Sequence, residues 1–364
     1  MTADAVGGVW QYALDVAGGL RPHGVETTLA VLGPAPSDHQ IAQAKALGVD
    51  LIATDLPLDW TAERQDQVEE ASRAIARIAD DIQPDLVHLN NPALAANARF
   101  ACPVVAVCHS CVATWWRAVR GGDLPEEFVW RTRLVGQGYR AADRLLAPTA
   151  AFADVTARVY ELPVSPTVVR NGRRAWTVRD HSSGELFAFT AGRLWDEGKN
   201  FAAIDRAASR LSLPILAAGP LRGLNGAQAE ALHARALGTL SDEGVIGCLS
   251  SRPIFISAAK YEPFGLAVLE AAQAGCALVL SGIPTFKELW DGVAVFVDPD
   301  DDQAIAQAVG HLASDEAARL SLGEAARRRA SAYSVDAMIS NILDAYRSLP
   351  SPQVDQASFK GAAA

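Results

Sequence analysis

Short apolar runs alternate with longer stretches of helical periodicity along almost the whole chain, and that alternation limits the fold more than any other feature. Strands are predicted at Thr27–Leu32, Leu86–His88, Val104–Cys108, Arg144–Ala147 and Thr167–Val169. A second series is predicted at Leu186–Thr190, Pro214–Ala218, Ile254–Ser257, Ala277–Leu280 and Ala294–Val297. Helical stretches such as Thr61–Ile82, Glu126–Ala142, Phe201–Leu211 and Gly265–Ala274 lie between them. Strands separated by helices indicate βαβ units and parallel sheets. The runs VVAV (104–107) and ALVL (277–280) show no polar alternation. That pattern suits strands covered on both faces.

A chain of 364 residues is long for one domain. The predicted boundary is near 171–184, where the turn signal Asn171-Gly172 leads into the polar stretch RRAWTVRDHSSG. The expected units are residues 1–175 and 176–333. The helical segment 334–349 is expected to return to the first unit, and 350–364 to form a mobile tail. The loop Gly7-Gly8 opens a helical pattern, yet only MTADAV precedes it. Such loops follow the first strand of a doubly wound sheet, so most of that strand is expected to be missing here.

Composition removes several classes. Half of the residues are hydrophobic and a fifth are charged, which is the balance of a folded chain. Residues 1–180 hold 17 Lys+Arg against 21 Asp+Glu and residues 181–364 hold 15 against 21, so neither half suits a nucleic acid. No apolar run is long enough to span a bilayer and no signal peptide is visible. Five cysteines are too sparse for a disulfide framework, and a cytoplasmic setting is expected.

The strongest chemical signal is Tyr261-Glu262-Pro263-Phe264-Gly265-Leu266-Ala267-Val268-Leu269-Glu270. Pro263 disfavours helix at Glu262, so a helix should begin near Gly265, whose bare backbone lets a ligand approach. A helix N-terminus with free N–H groups is an anion site. Glu262 stands before it, and Glu270 sits more than a turn inside, where a carboxylate can accept two ribose hydroxyls. A phosphate flanked by two hydroxyl-binding acids describes a nucleotide sugar. A charge in an otherwise apolar stretch, as at Glu270, is rarely buried without a partner.

YEPFGLAVLEAAQAG resembles the Glu-x7-Glu motif of retaining glycosyltransferases of the GT-B architecture, and most resembles glycosyltransferase family 4. Gly7-Gly8-Val9-Trp10 is similar to that family's first glycine-rich loop, and Pro84-Asp85-Leu86-Val87-His88 to its PDxVH strand. Val107-Cys108-His109 resembles its strand-end histidine, Val169-Arg170-Asn171-Gly172 its interdomain turn, and Ala191-Gly192-Arg193-Leu194 the start of its second domain. The resemblance implies two Rossmann-like, doubly wound parallel-sheet domains facing across a cleft. It further implies that Glu270 binds the nucleotide ribose, that Glu262 contacts the donor sugar, and that Gly7, Gly8 and the backbone around Phe264, Gly265 and Leu266 hold the sugar and phosphates.

In Gly192-Arg193-Leu194-Trp195-Asp196-Glu197-Gly198-Lys199-Asn200, Arg193 and Lys199 are placed to offset charge growing on a departing diphosphate. Only five of the 32 basic residues are lysines, so a lysine in a motif is informative. The family spaces its Arg and Lys one residue more closely. The segment also nearly matches a P-loop, but Asn200 cannot replace the hydroxyl that binds Mg²⁺.

His109 follows an apolar strand, and ligands of such sheets bind at strand C-termini. It is a candidate to bind a donor-sugar hydroxyl or to position charge. His88, also at a strand end, reads better as structural. Trp115-Trp116-Arg117 and Arg120 suit a sugar ring, an acidic acceptor or a peripheral membrane contact, or simple packing. The pair Cys108 and Cys111 lacks the further ligands a zinc site needs. Asp298-Pro-Asp300 mimics a metal motif, but helix capping explains it better. Backbone groups around Gly244–Leu249 are expected to read the base.

These readings combine into a retaining hexosyltransferase that moves a hexose from a UDP- or GDP-linked donor to a glycan, lipid or small-molecule acceptor. No metal or other cofactor is implied. The alternatives are a sugar phosphorylase or nucleotide-sugar epimerase on the same architecture, or a two-lobed sugar-binding protein without catalysis.

Overall fold

The computed structural model describes residues 1–175, 185–223 and 225–349. The predicted linker beyond residue 175 and the tail from 350 lie outside the described residues.

In chain order the first lobe contains β1 (Thr2–Asp4), α1 (Gly8–Leu20), β2 (Thr28–Leu32), α2 (Asp38–Ala46), β3 (Asp50–Ala53), α3 (Gln65–Ile82), β4 (Val87–Leu89), β5 (Val104–Val107), α4 (Val112–Val119), α5 (Glu126–Ala141), β6 (Arg144–Ala147), α6 (Ala150–Tyr160) and β7 (Thr167–Val168). The second contains β8 (Ala188–Ala191), α7 (Phe201–Ala208), β9 (Ile215–Ala218), β10 (Arg235–Gly238), α8 (Asp242–Ser250), β11 (Ile254–Ser257), α9 (Leu266–Gln273), β12 (Ala277–Ser281), α10 (Pro284–Trp290), β13 (Val295–Val297), α11 (Asp302–Ser314) and α12 (Glu316–Ala330). A last helix, α13 (Val335–Arg347), follows.

Every ladder between these strands is parallel. The second lobe forms one sheet in the order β10-β9-β8-β11-β12-β13. The first forms β1-β2-β3 and β4-β5-β6-β7. These two ladders meet where Asn90 donates from its backbone N to Thr2 Oγ1 (3.0 Å) and from Nδ2 to Thr2 O (2.7 Å). Chain order therefore reverses between β1 and β4 in one lobe and between β8 and β11 in the other. Such switch points open a crevice at the strand C-termini.

The continuous apolar runs are explained by two-sided burial. Every residue of β5 and β12 is buried. Leu278 and Leu280 pack with Phe189 and Phe255 on one face, while Ala277 and Val279 pack with Ala188, Ile254 and Ile256 on the other. In the first lobe Val105 and Val107 face α1, and Val104 and Ala106 face α3. The α13 residues Met338, Ile339, Ile342 and Ala345 join Tyr12, Val16 and Leu20 in that first-lobe core. His88 Nδ1 lies 2.7 Å from Tyr346 Oη, so this histidine ties α13 to β4.

The first strand is present as three residues, from Thr2 opposite Ala30 to Asp4 opposite Leu32, and Gly7 follows it at φ +79°. The start of α11 corrects a reading of the acidic run after β13. Its cap is Asp301, which accepts from Ala304 N (2.9 Å), whereas Asp298 closes a tighter turn by accepting from Asp300 N (2.9 Å).

Candidate active site

The two motifs of the second lobe are the loops that follow β8 and β11, on either side of its switch point. After β8 the chain turns at Gly192 and closes a 3-10 turn, Glu197–Lys199. Asp196 organises this loop. Its Oδ1 accepts from Gly198 N (2.9 Å) and its Oδ2 from Arg193 Nη2 (2.9 Å). Lys260 N and Tyr261 N of the second loop both donate to Gly198 O (2.9 and 3.2 Å), which fixes the loops to each other. Lys199 Nζ contacts Glu262 Oε2 directly. Thr285 Oγ1 donates to Glu262 O (2.6 Å), holding that residue outside the helix.

Helix α9 then begins after Gly265, at φ +91°, where any side chain would be strained and a Cβ would come within 2.9 Å of Phe286. No side chain caps this N-terminus, so its first amides lack partners within the helix. Glu270 lies in the second turn. Burial raises its carboxyl above the usual range, and Arg173 opposes the rise. Arg173 Nε donates to Glu270 Oε1 at 2.8 Å.

The first lobe faces this arrangement with its own strand ends. A Cβ at Gly8 would lie 3.4 Å from Leu266 Cδ1, so the Gly7–Gly8 loop opposes the start of α9. Asp4, at the end of β1, is pushed up to about 6 by burial, while Arg193 is near enough to pull it down. His109 Nε2 lies 2.8 Å from Asn90 Oδ1, and its ring meets Tyr12 edge-on with centroids 4.6 Å apart. The Asn90 amide nitrogen is engaged by Thr2 O, so its oxygen accepts from His109. The imidazole then carries its proton on Nε2 and offers Nδ1 as an acceptor. Burial lowers His109 to about 4, so it is neutral at pH 7. It can hydrogen-bond a hydroxyl, but it cannot supply positive charge.

The lobes also touch beyond the strand ends. Trp115 Nε1 donates to Asp196 Oδ1 (3.0 Å), and Arg120 pairs with Glu197 (2.6 Å). Tyr261 Oη sits 2.8 Å from Thr114 Oγ1, and Thr149 Oγ1 donates to Pro263 O (3.0 Å). Glu288 accepts from Ala150 N and Ala151 N at the start of α6 (3.0 and 2.8 Å), a favourable place for a carboxylate.

The structure thus gathers Lys199, Glu262, Arg193 and the start of α9 at one crevice, with Gly8 opposite. Glu270 is set deeper and engages Arg173. The sequence reading of α8 needs correction: Gly244–Leu249 lie inside a helix capped by Ser241, so most of their backbone donors are spent on the helix and cannot read a base. Trp115 faces the second lobe, whereas Trp116 stacks toward Phe128 (5.8 Å) and lines a cavity of about 510 Å³ with Arg117 and Arg158. Three site residues escaped sequence reasoning. Asn90 and Arg173 give no signal of their own. Asp15 does, because it is the one acid within the apolar helix GVWQYALDVAGGL.

Comparison with known proteins agrees with this architecture. The sequence profile described as Glycosyltransferase Family 4 matches residues 6–174, and the one described as Glycosyl transferases group 1 matches residues 225–329. Glycogen synthase of Mycobacterium tuberculosis (strain CDC 1551 / Oshkosh) is 27% identical over 372 positions, covering 88% of each chain. D-inositol 3-phosphate glycosyltransferase of Corynebacterium urealyticum is 36% identical over 91 residues, 24% of this chain and 22% of that one. Among solved structures, sucrose-phosphate synthase from Thermosynechococcus elongatus superposes with a TM-score of 0.75 at 16% identity, covering 92% of both chains. Anabaena HepE in complex with UDP-glucose gives 0.72 at 17% identity, covering 96% of this chain and all of that one (100%). The fold and site define a two-lobed enzyme of the GT-B type, a glycosyltransferase. The chain belongs to glycosyltransferase family 4.

Proposed function

We propose that the protein is a retaining hexosyltransferase that takes its sugar from a nucleoside-diphosphate hexose. The lobe of residues 176–333 binds the donor, and the lobe of residues 1–175, completed by helix 334–349, binds the acceptor. The observation that carries this reading is the convergence of Arg193, Lys199 and Glu262 on the uncapped start of α9, at the switch point between β8 and β11. The similarity to a glycogen synthase and the UDP-glucose complex of a structural relative support the donor class.

In this reading the diphosphate rests on the amides of Gly265 and Leu266, opposite Gly7 and Gly8, and Glu270 accepts the ribose hydroxyls. Lys199 exchanges some of its contact with Glu262 for the phosphate, and Arg193 approaches from the same loop. Charge grows on the diphosphate as the glycosidic bond breaks, and these two cations stabilise it most at that moment. Glu262, released from part of its pairing, accepts a hydroxyl of the sugar. His109, neutral and accepting through Nδ1, holds another. Among the described residues no side chain is set to act as a nucleophile at the sugar, so departure and attack on one face, with the leaving diphosphate taking the acceptor proton, account for retention. Holding two substrates in register supplies the rest of the rate. All five cysteines are free thiols, which suits a reducing, cytoplasmic setting. No helix among the described residues is long and apolar enough to cross a membrane.

The test is a thermal-shift panel of UDP-, GDP- and ADP-sugars followed by donor kinetics of Glu270→Ala. One donor should raise the melting temperature, since a ligand at 100 Kd adds about 2.7 kcal/mol. Loss of a charge-assisted hydrogen bond should raise the donor KM by about 10- to 100-fold. A donor KM unmoved by the substitution would defeat the assignment.

A further inference from the structure

Arg173 lies where the chain passes between the lobes. It follows Gly172, where a Cβ would strike the carbonyl of Ser334 at 2.1 Å, and its own N donates to Tyr333 O (3.2 Å). The outgoing and returning segments therefore touch at this point. Helix α9 grips the same residue twice. Gln273 Nε2 donates to Arg173 O (3.0 Å), and the guanidinium engages Glu270. The side chain is only 4% exposed.

The way the guanidinium is shared is specific. Its Nη1 donates to Asp15 Oδ2 (2.7 Å) on α1. Its Nε and Nη2 both converge on Glu270 Oε1, at 2.8 and 2.7 Å. No described residue donates to Glu270 Oε2. Asp15 and Glu270 sit on the two helices whose starts oppose each other at Gly8 and Leu266. One cation therefore joins the glycine-loop helix of the first lobe to the donor helix of the second, behind the crevice.

We propose that Arg173 is a positioning residue for the donor: it commits Glu270 Oε1 to itself, presents Oε2 alone to the ribose diol, and ties that carboxylate to the first lobe through Asp15. The inference rests on the nucleotide-sugar reading above. A free carboxylate could turn to accept the diol on either oxygen or on both. With Oε1 held, the two hydroxyls meet the two lone pairs of one oxygen in a single orientation, and the nucleotide is set relative to both helices. Arg173 also keeps Glu270 an acceptor. The other charges acting on that carboxylate are Asp15 on α1 and Asp242 at the start of α8, both acidic. Without the guanidinium, three acids would share the site, and the carboxyl of Glu270, already raised by burial, would rise further.

The experiment is calorimetric titration of the full-length protein with UDP, ADP and GDP, carrying forward the nucleotide that binds wild type most tightly, from roughly pH 6 to roughly pH 8.5. Arg173→Met should weaken binding by about tenfold or more at the acid end and regain affinity as pH rises, while wild type stays flat. Arg173→Lys keeps a cation but cannot span both acids, so it should stay flat with pH and bind about threefold more weakly. A folded Arg173→Met that binds like wild type at every pH would overturn the proposal. So would an Arg173→Lys that matches wild type, which decides the matter if the methionine variant does not fold. Glu270→Ala separates the two readings. If it binds nucleotide normally, or if wild type binds none of the three, the donor assignment falls and takes this inference with it. If it loses binding while both Arg173 variants keep theirs, only this inference falls.

Discussion

Two pairs of largely buried acids, one at the crossing between the lobes and one in the strand-end loops of the first lobe, are treated differently. Asp15 and Glu270 share a guanidinium at hydrogen-bond distance. Asp4 and Asp59, at the C-terminal edge of the first sheet, have only neutral donors in contact: Val6 N for Asp4 (2.9 Å) and Asn91 Nδ2 for Asp59 (3.1 Å). Arg193 and Arg131 act on them from farther away. Burial raises all four carboxyls. A paired charge in a low-dielectric site resists removal of its partner, whereas an acid without a contacting cation penalises the folded state whenever it ionises. Ionisation therefore costs stability in both pairs, but only the hinge acids share a contacting cation whose removal would leave them unpaired.

Removing the shared cation breaks the comparison most severely. Arg173→Met leaves Asp15 and Glu270 buried beside each other, and the loss should be about 3–5 kcal/mol, the range for orphaning a buried charge. Urea unfolding at neutral pH measures it. A loss under about 1 kcal/mol would mean that water or a neighbouring group already satisfies the two acids.

What the sequence disclosed follows the same division between interior and edge. Runs such as VVAV and ALVL were legible because both of their faces are covered. The strands β3 (DLIA) and β10 (RALG) were not, because each lies at the edge of its sheet with half or more of its residues exposed. An exposed edge strand needs no apolar run, so none marks these two, whereas the edge strands β7 (TV) and β13 (VFV) keep apolar residues and were legible. Strand β1 is too short to show a pattern. The crevice residues were legible for a physical reason: Pro263 and Gly265 mark the start of a helix, and Glu270 interrupts an apolar face. Asp15 carries the same mark on α1, five residues past the glycine-loop motif, but it belongs to no motif itself. Arg173 gave no mark at all. It lies beside Arg174 in a polar stretch, and only the fold separates the buried arginine from its exposed neighbour. The run at 298–302 shows a further limit. Several adjacent acids each satisfy the capping rule, and the backbone turn selects Asp301.

The edge acids sharpen the comparison with the opposite sign. Burial raises Asp4 to about 6 in the folded protein, above the 3.8 of a free aspartate. The folded state then holds more proton than the unfolded state between these values, so stability falls as pH rises from about 4 to about 6. Asp4→Asn keeps an acceptor for Val6 N and removes that slope. Its unfolding free energy should equal that of wild type near pH 4 and exceed it above pH 6, by about 1–2 kcal/mol after allowance for partial exposure. An unchanged slope in the variant would show that another group titrates in this window.

The smallest effect belongs to the pair that joins the lobes in solvent. Arg120 and Glu197 lie 2.6 Å apart, as close as the hinge contacts, yet both side chains are 52% exposed. Distance alone would rank this bridge with Arg173–Asp15. Solvent screening and the entropy of holding two long side chains rank it far lower, so Arg120→Ala should change unfolding free energy by less than about 0.5 kcal/mol. Added salt should shrink even that difference. A loss comparable to that of Arg173→Met would mean that contact distance, rather than burial, governs how these lobes are held, and the division between the two acid pairs would lose its physical basis.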